Sequence, residues 1–163
     1  MKFEVMSRNK AHDMSYSHNI EDCVIISITD VCSLYNSFAP NPHIRDVLHL
    51  KFDDVEKNDV MAISESDAEK IIEFVNRHLP FVDKIIVHCE AGVSRSAGVC
   101  AALMQIINGD DSPIFNSGRY CPNMTCYRAI MEAYYGTYDK EAADAKLAQN
   151  IQVWRKENGL DER

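Results

Sequence analysis

The stretch KIIVHCEAGVSRSAGVCAALMQIING, residues 84–109, constrains the fold more than any other part of the chain. It opens with an apolar, β-branched run of strand length, passes through Cys-Glu-Ala-Gly-Val-Ser-Arg (89–95), and continues as a segment that is apolar on nearly every side. A strand without a polar face must be covered on both sides. A helix without a polar face must be central, and Asn108 with Gly109 closes this one. Residues 84–109 therefore read as a buried strand–loop–helix unit at the centre of the molecule.

The rest of the chain supplies the cover. DCVIISIT (22–29) is a second strand of the fully buried kind, and KFEVM (2–6) is a shorter candidate strand. DVLHLKF (46–52) alternates, with Leu48, Leu50 and Phe52 on one face. SESDAEKIIEFVNRHL (64–79) reads as a helix capped by Ser64 or Ser66, with Asp67 and Glu69 near its positive end and Pro80 as its stop. CPNMTCYRAIMEAYYG (121–136) reads as a helix with Pro122 in its first turn. DKEAADAKLAQNIQVWRKENGL (139–160) reads as a last amphipathic helix. Residues 12–22 are polar and read as loop or short helix; 30–43 and 53–66 read as loops. Strands separated by helices predict an α/β fold, a single domain over 1–163 with a largely parallel sheet of four to five strands flanked by helices. In such sheets ligands bind at the carboxyl ends of strands, where Cys89 lies.

Composition narrows the classes of partner. The net charge of −8 disfavours nucleic acid and anionic membrane surfaces, and any anion site must be built locally. The N-terminal residues lack the apolar core of a signal peptide, and no run approaches a membrane span. The six cysteines are irregularly spaced, several within apolar runs, and are read as reduced thiols of a cytoplasmic protein. There is no Cys-x-x-Cys pair, and the histidines lack ligand spacing, so no metal or other cofactor is expected. His12, Asp13 and His18 read as a polar surface loop rather than a metal site.

The loop from Cys89 to Arg95 joins a strand to a helix N-terminus. Unpaired amides and the helix dipole favour an anion there. Gly92 allows the chain to curl, so that the backbone of Glu90, Ala91, Gly92, Val93, Ser94 and Arg95 forms a cradle about the size of one phosphate. The thiol at its base is expected as a thiolate at neutral pH, and the planar Arg95 fork can clamp two oxygens. Taken alone, Cys89 would read as a small buried hydrophobe. The strand–glycine–helix context reads instead as a nucleophile beneath a bound phosphoryl group.

VHCEAGVSRSAG (87–98) resembles the His-Cys-x-x-Gly-x-x-Arg-Ser signature of the protein tyrosine phosphatases, in the wording of the small dual-specificity branch. LHLKFDD (48–54) resembles the strand and acid loop that precede that signature, and RYCPNMTCYRAIMEAY (119–134) resembles the segment that follows it. The likeness covers roughly residues 22–136. It implies a cysteine-based phosphatase of that fold, with Cys89 forming a phosphocysteine intermediate and Arg95 stabilising the transition state. It further implies that Ser96 hydrogen-bonds the sulfur, that His88 orients the loop and that Asn123 supports it. The expected partner is a phosphorylated protein; no metal is required.

The chemistry also needs an acid for the leaving oxygen. Asp53, Asp54 and Asp59 are the candidates; strand parity from Leu48, Leu50 and Phe52 and the resemblance both favour Asp54. The expected substrate is phosphotyrosine, with phosphoserine or phosphothreonine as extensions. A phospholipid ranks lower because the loop lacks lysine, and a non-catalytic phosphoprotein-binding module ranks lower because Cys89 and Arg95 are both present. Cys32 and Cys100 are read as core residues rather than oxidation partners of Cys89.

Overall fold

The computed structural model describes residues 1–56 and 58–160. Its centre is a sheet of four parallel strands, β1 (Lys2–Ser7), β2 (Cys23–Thr29), β3 (Ile44–Lys51) and β4 (Lys84–Cys89), in the order β1-β4-β2-β3. The helices are α1 (Arg8–Met14), α2 (Glu65–His78), α3 (Arg95–Asn108), α4 (Ser112–Phe115), α5 (Met124–Tyr135) and α6 (Lys140–Glu157). The two strands with unbroken apolar runs, β2 and β4, are the inner pair, and every residue of β2 is buried. β3, which alternates, lies on an edge.

The two faces of the sheet are covered unequally. Val24, Ile26, Ile28, Ile85 and Val87 share a core with α2, α3 and α5. On the other face Cys23, Ile25 and Ile86 pack with Met6, Ala11 and the partly buried Phe38. α3 is buried over its whole first half, Arg95 to Leu103, which is why its sequence has no polar stripe there. Gly98 permits the close crossing of α3 and the start of α5, since a Cβ there would stand 2.3 Å from the Asn123 carbonyl oxygen.

The structure refines four local details. Residues 12–22, read as loop or short helix, begin inside α1, which starts earlier, at Arg8, because the Ser7 hydroxyl accepts the Lys10 amide and caps it. Pro122 is outside α5 rather than in its first turn, because Asn123 takes the N-cap position and accepts the Cys126 amide at 3.0 Å. The single turn α4, which buries Ile114 and Phe115, has no periodic signal in four residues. α6 carries only a thin apolar face: Ala143 and Asn150 are its buried residues, and Asn150 donates its amide to the Phe115, Ser117 and Tyr120 carbonyls. Ser64, one of the two cap candidates, caps α2 in a reciprocal box with Asp67.

Candidate active site

β4 ends at Cys89 and α3 begins at Arg95, so the connecting residues curl at the carboxyl end of the sheet. Gly92 makes the curl with φ at +71°, and a Cβ there would lie 2.5 Å from the backbone of Met6 and Ser7. Both the left-handed backbone and the contact with the end of β1 exclude any other residue. Ser94 is the N-cap of α3, but its hydroxyl does not cap the helix; it donates to Asp54 Oδ1 at 2.8 Å. The first amides of α3 are thus left without a side-chain acceptor, at the positive end of the helix. That is the local condition for anion binding.

The sulfur of Cys89 is buried at the base of this turn, 3.0 Å from Ser96 Oγ. Arg95, only 4% exposed, is held through one nitrogen: Nη1 donates to the Phe52 carbonyl at 2.8 Å and pairs with Asp30 Oδ1 at 2.7 Å. Its buried Nε has no hydrogen-bond partner among the described residues. Leaving such a donor unmatched costs roughly 1–3 kcal/mol, which an oxyanion beside Cys89 would offset.

The three candidate acids separate. Asp54 reaches the cradle: its Oδ1 accepts from Ser94 and from Asn123 Nδ2 at 2.7 Å. Asp53 turns away and accepts the Val31 amide at 2.9 Å. Asp59 closes a turn of its own loop by accepting the Met61 amide. β3 stops at Lys51, but Phe52 continues the ladder by donating to the Thr29 carbonyl, which carries the alternation toward residue 54. Asn123 ties three parts together: it caps α5, holds Asp54, and donates its own amide to the Ser94 carbonyl at 3.0 Å.

No family model matches the chain. Among curated proteins, mouse dual specificity protein phosphatase 2 is 31% identical over 90 residues, covering 55% of this chain and 27% of the mouse protein. The matched stretch therefore spans about a quarter of that relative's length. Among solved structures, human tyrosine phosphatase-like serine/threonine/tyrosine-interacting protein aligns with a TM-score of 0.51 at 23% identity, over 71% of this chain and 79% of its own. PTPMT1 aligns with a TM-score of 0.50 at 18% identity, over 89% of this chain and 95% of its own. The chain thus shares the fold of these two phosphatase-related structures, and its matched stretch is similar to part of a dual specificity phosphatase.

His88, just before Cys89, has a fully buried setting. His88 lies opposite Ser27 in the sheet, and Ser27 Oγ is 2.7 Å from its Nε2. The Asn36 amide nitrogen, a donor only, also faces Nε2, at 3.5 Å, while Nδ1 faces the Cys89 carbonyl at 3.3 Å. These partners select the neutral tautomer with the proton on Nδ1. Burial pushes the pKa of His88 from 6.5 down to about 4, against a weaker upward pull from the bond to the Cys89 carbonyl. The unfolded chain therefore binds a proton between those two values that the folded chain refuses. The stability contributed by the neutral imidazole is full above pH 6.5 and is lost as pH falls toward 4. Denaturant unfolding should show the wild type losing on the order of 2 kcal/mol more than His88→Gln between pH 7 and pH 5. Equal losses in both proteins would refute the neutral state of folded His88.

Three contributors escaped the sequence reading. Asp30, the partner of Arg95, directly follows the apolar run of β2, so the rule that strand ends carry function points to it. Asn36 and Ser27 act on His88 and carry no comparable signal. Cys32, read as a core residue, is exposed, whereas Cys100 is buried among apolar side chains that push its thiol up to about 12. Among the described residues no three His, Cys, Asp or Glu side chains gather as metal ligands. No described helix is long and apolar enough to cross a membrane.

Proposed function

We propose that this protein is a cysteine-based phosphatase that hydrolyses phosphotyrosine in proteins, with phosphoserine and phosphothreonine as further substrates. The observation that carries the reading is Arg95: a buried guanidinium whose Nε lacks an acceptor among the described residues, at the uncapped start of α3, where the turn that begins at Cys89 ends. In this reading the backbone amides from Glu90 to Arg95, with the Arg95 fork, bind the phosphate oxygens. The sulfur of Cys89 attacks phosphorus, and the bond to the leaving oxygen breaks as Asp54 gives that oxygen its proton. Phosphocysteine is then hydrolysed by water that returns the proton to Asp54, while the Ser96 hydroxyl, 3.0 Å from the sulfur, stabilises the departing thiolate.

A phospholipid substrate is the second reading; PTPMT1, similar in fold, has been solved in complex with PI(5)P. Glu90, Ala91 and Val93 give the cradle no base for a polyanionic headgroup, which favours the protein substrate. A panel of phosphopeptides and phosphoinositides, scored by released inorganic phosphate, decides between them, and faster turnover of the lipids would reverse the order. The reading itself is tested by Arg95→Lys with an aryl phosphate. Lysine keeps the charge but cannot hold both Phe52 and an oxyanion, so kcat/KM should fall on the order of 10²-fold or more. A lysine variant within a few-fold of wild type would defeat the proposal.

A further inference from the structure

Within the phosphatase reading, on which this inference rests, Glu90 is out of place. It directly follows the nucleophile in a loop that must gather a dianion, and the reaction makes no use of its charge. A carboxylate there opposes the oxyanion through space. The structure supplies a dedicated partner from the other end of the chain. In the β1–β4 ladder Ser7 lies opposite Cys89, so Arg8 falls opposite Glu90. The Arg8 amide donates to the Glu90 carbonyl at 3.1 Å, and Arg8 Nη1 pairs with Glu90 Oε1 at 2.8 Å. Its other nitrogen, Nη2, donates to the Leu34 carbonyl at 2.8 Å, and the Asn36 amide donates to the Arg8 carbonyl at 3.1 Å. Both charged side chains are largely covered, at 25% and 35% exposure.

We propose that Arg8 is a positioning residue for the cradle: it neutralises Glu90 and holds that carboxylate on Arg8 and away from the bound phosphate. The second cradle arginine cannot do this, because Arg95 is itself paired with Asp30. Arg8 acts through Glu90 and does not touch substrate. Removing Arg8 leaves an unmatched negative charge beside the oxyanion, so binding weakens; removing Glu90 as well takes that charge away and binding returns. A merely structural tie predicts the opposite for Glu90, since either single change breaks it.

The test is protection of Cys89 from iodoacetate by orthovanadate, read by mass spectrometry on full-length protein. Arg8→Gln should raise the half-protecting vanadate concentration roughly 5- to 10-fold, and Glu90→Gln should lower it roughly 2-fold or more. Arg8→Gln with Glu90→Gln should return to within about 2-fold of wild type. The Arg8→Gln penalty should also shrink at high ionic strength, because the charge it exposes is partly solvated. Protected wild type with a double variant as weak as Arg8→Gln, or with Glu90→Gln equally weakened, overturns the role of Arg8 alone. A wild type that vanadate does not protect overturns the oxyanion cradle, and this inference with it.

Discussion

Replacing Cys89 with serine is expected to lower turnover of an aryl phosphate by at least about 10⁴-fold, the scale on which loss of a nucleophile is felt. The sulfur stands at the base of the turn between β4 and α3. Cys100 and Cys126 are buried, and burial raises both thiols well above the usual range, so neither is a nucleophile at neutral pH. Oxyanion binding should survive the substitution. The uncapped amides of α3, Gly92 and Arg95 are untouched, and serine at 89 still meets the Ser96 hydroxyl. Phosphate or tungstate should therefore still raise the melting temperature of Cys89→Ser, and the variant should retain phosphopeptide that it cannot cleave. Full activity in Cys89→Ser would refute the assignment of the nucleophile. Loss of both activity and oxyanion binding would show instead that the sulfur helps to shape the cradle.

Much of this arrangement is legible in the sequence because it is local. The buried strands β2 and β4 declare themselves by uninterrupted apolar runs, and the turn from Cys89 to Arg95 by a glycine between a strand and a helix. Gly92 is needed for a reason the sequence contains only in part: the left-handed turn is local, but the backbone it presses against belongs to Met6 and Ser7. The unseen partners share that character. Arg8 meets Glu90, and Asp30 meets Arg95, only because the sheet order β1-β4-β2-β3 sets strands distant in sequence side by side. Parallel pairing leaves no turn to announce it. The short elements were unreadable for a different reason: α1 and α4 run for seven and four residues, too few for a 3.6-residue period to repeat convincingly.

Asp54→Asn should cost activity in proportion to the basicity of the leaving oxygen. An unactivated phenyl or alkyl phosphate must be protonated as it departs, and loss of the acid should slow it roughly 10²-fold or more. An aryl phosphate whose phenol is already acidic can leave without the proton and should lose only a few-fold. Asparagine is the informative replacement because its oxygen can still accept from Ser94 and Asn123, the two donors that fix Oδ1. The loop then stays anchored to the cradle, and what disappears is the transferable proton. Asp53 has a different attachment, to the Val31 amide, and its own amide donates to the Met61 carbonyl at 2.7 Å. Asp53→Asn keeps both of these bonds and should therefore turn over both classes of substrate nearly as the wild type does. The ratio of the two rates, rather than either rate alone, separates proton donation from loop support. If that ratio moves in Asp53→Asn and holds in Asp54→Asn, the acid is Asp53. The bonds from Ser94 and Asn123 to Asp54 would then serve only to fasten the acid loop to the cradle.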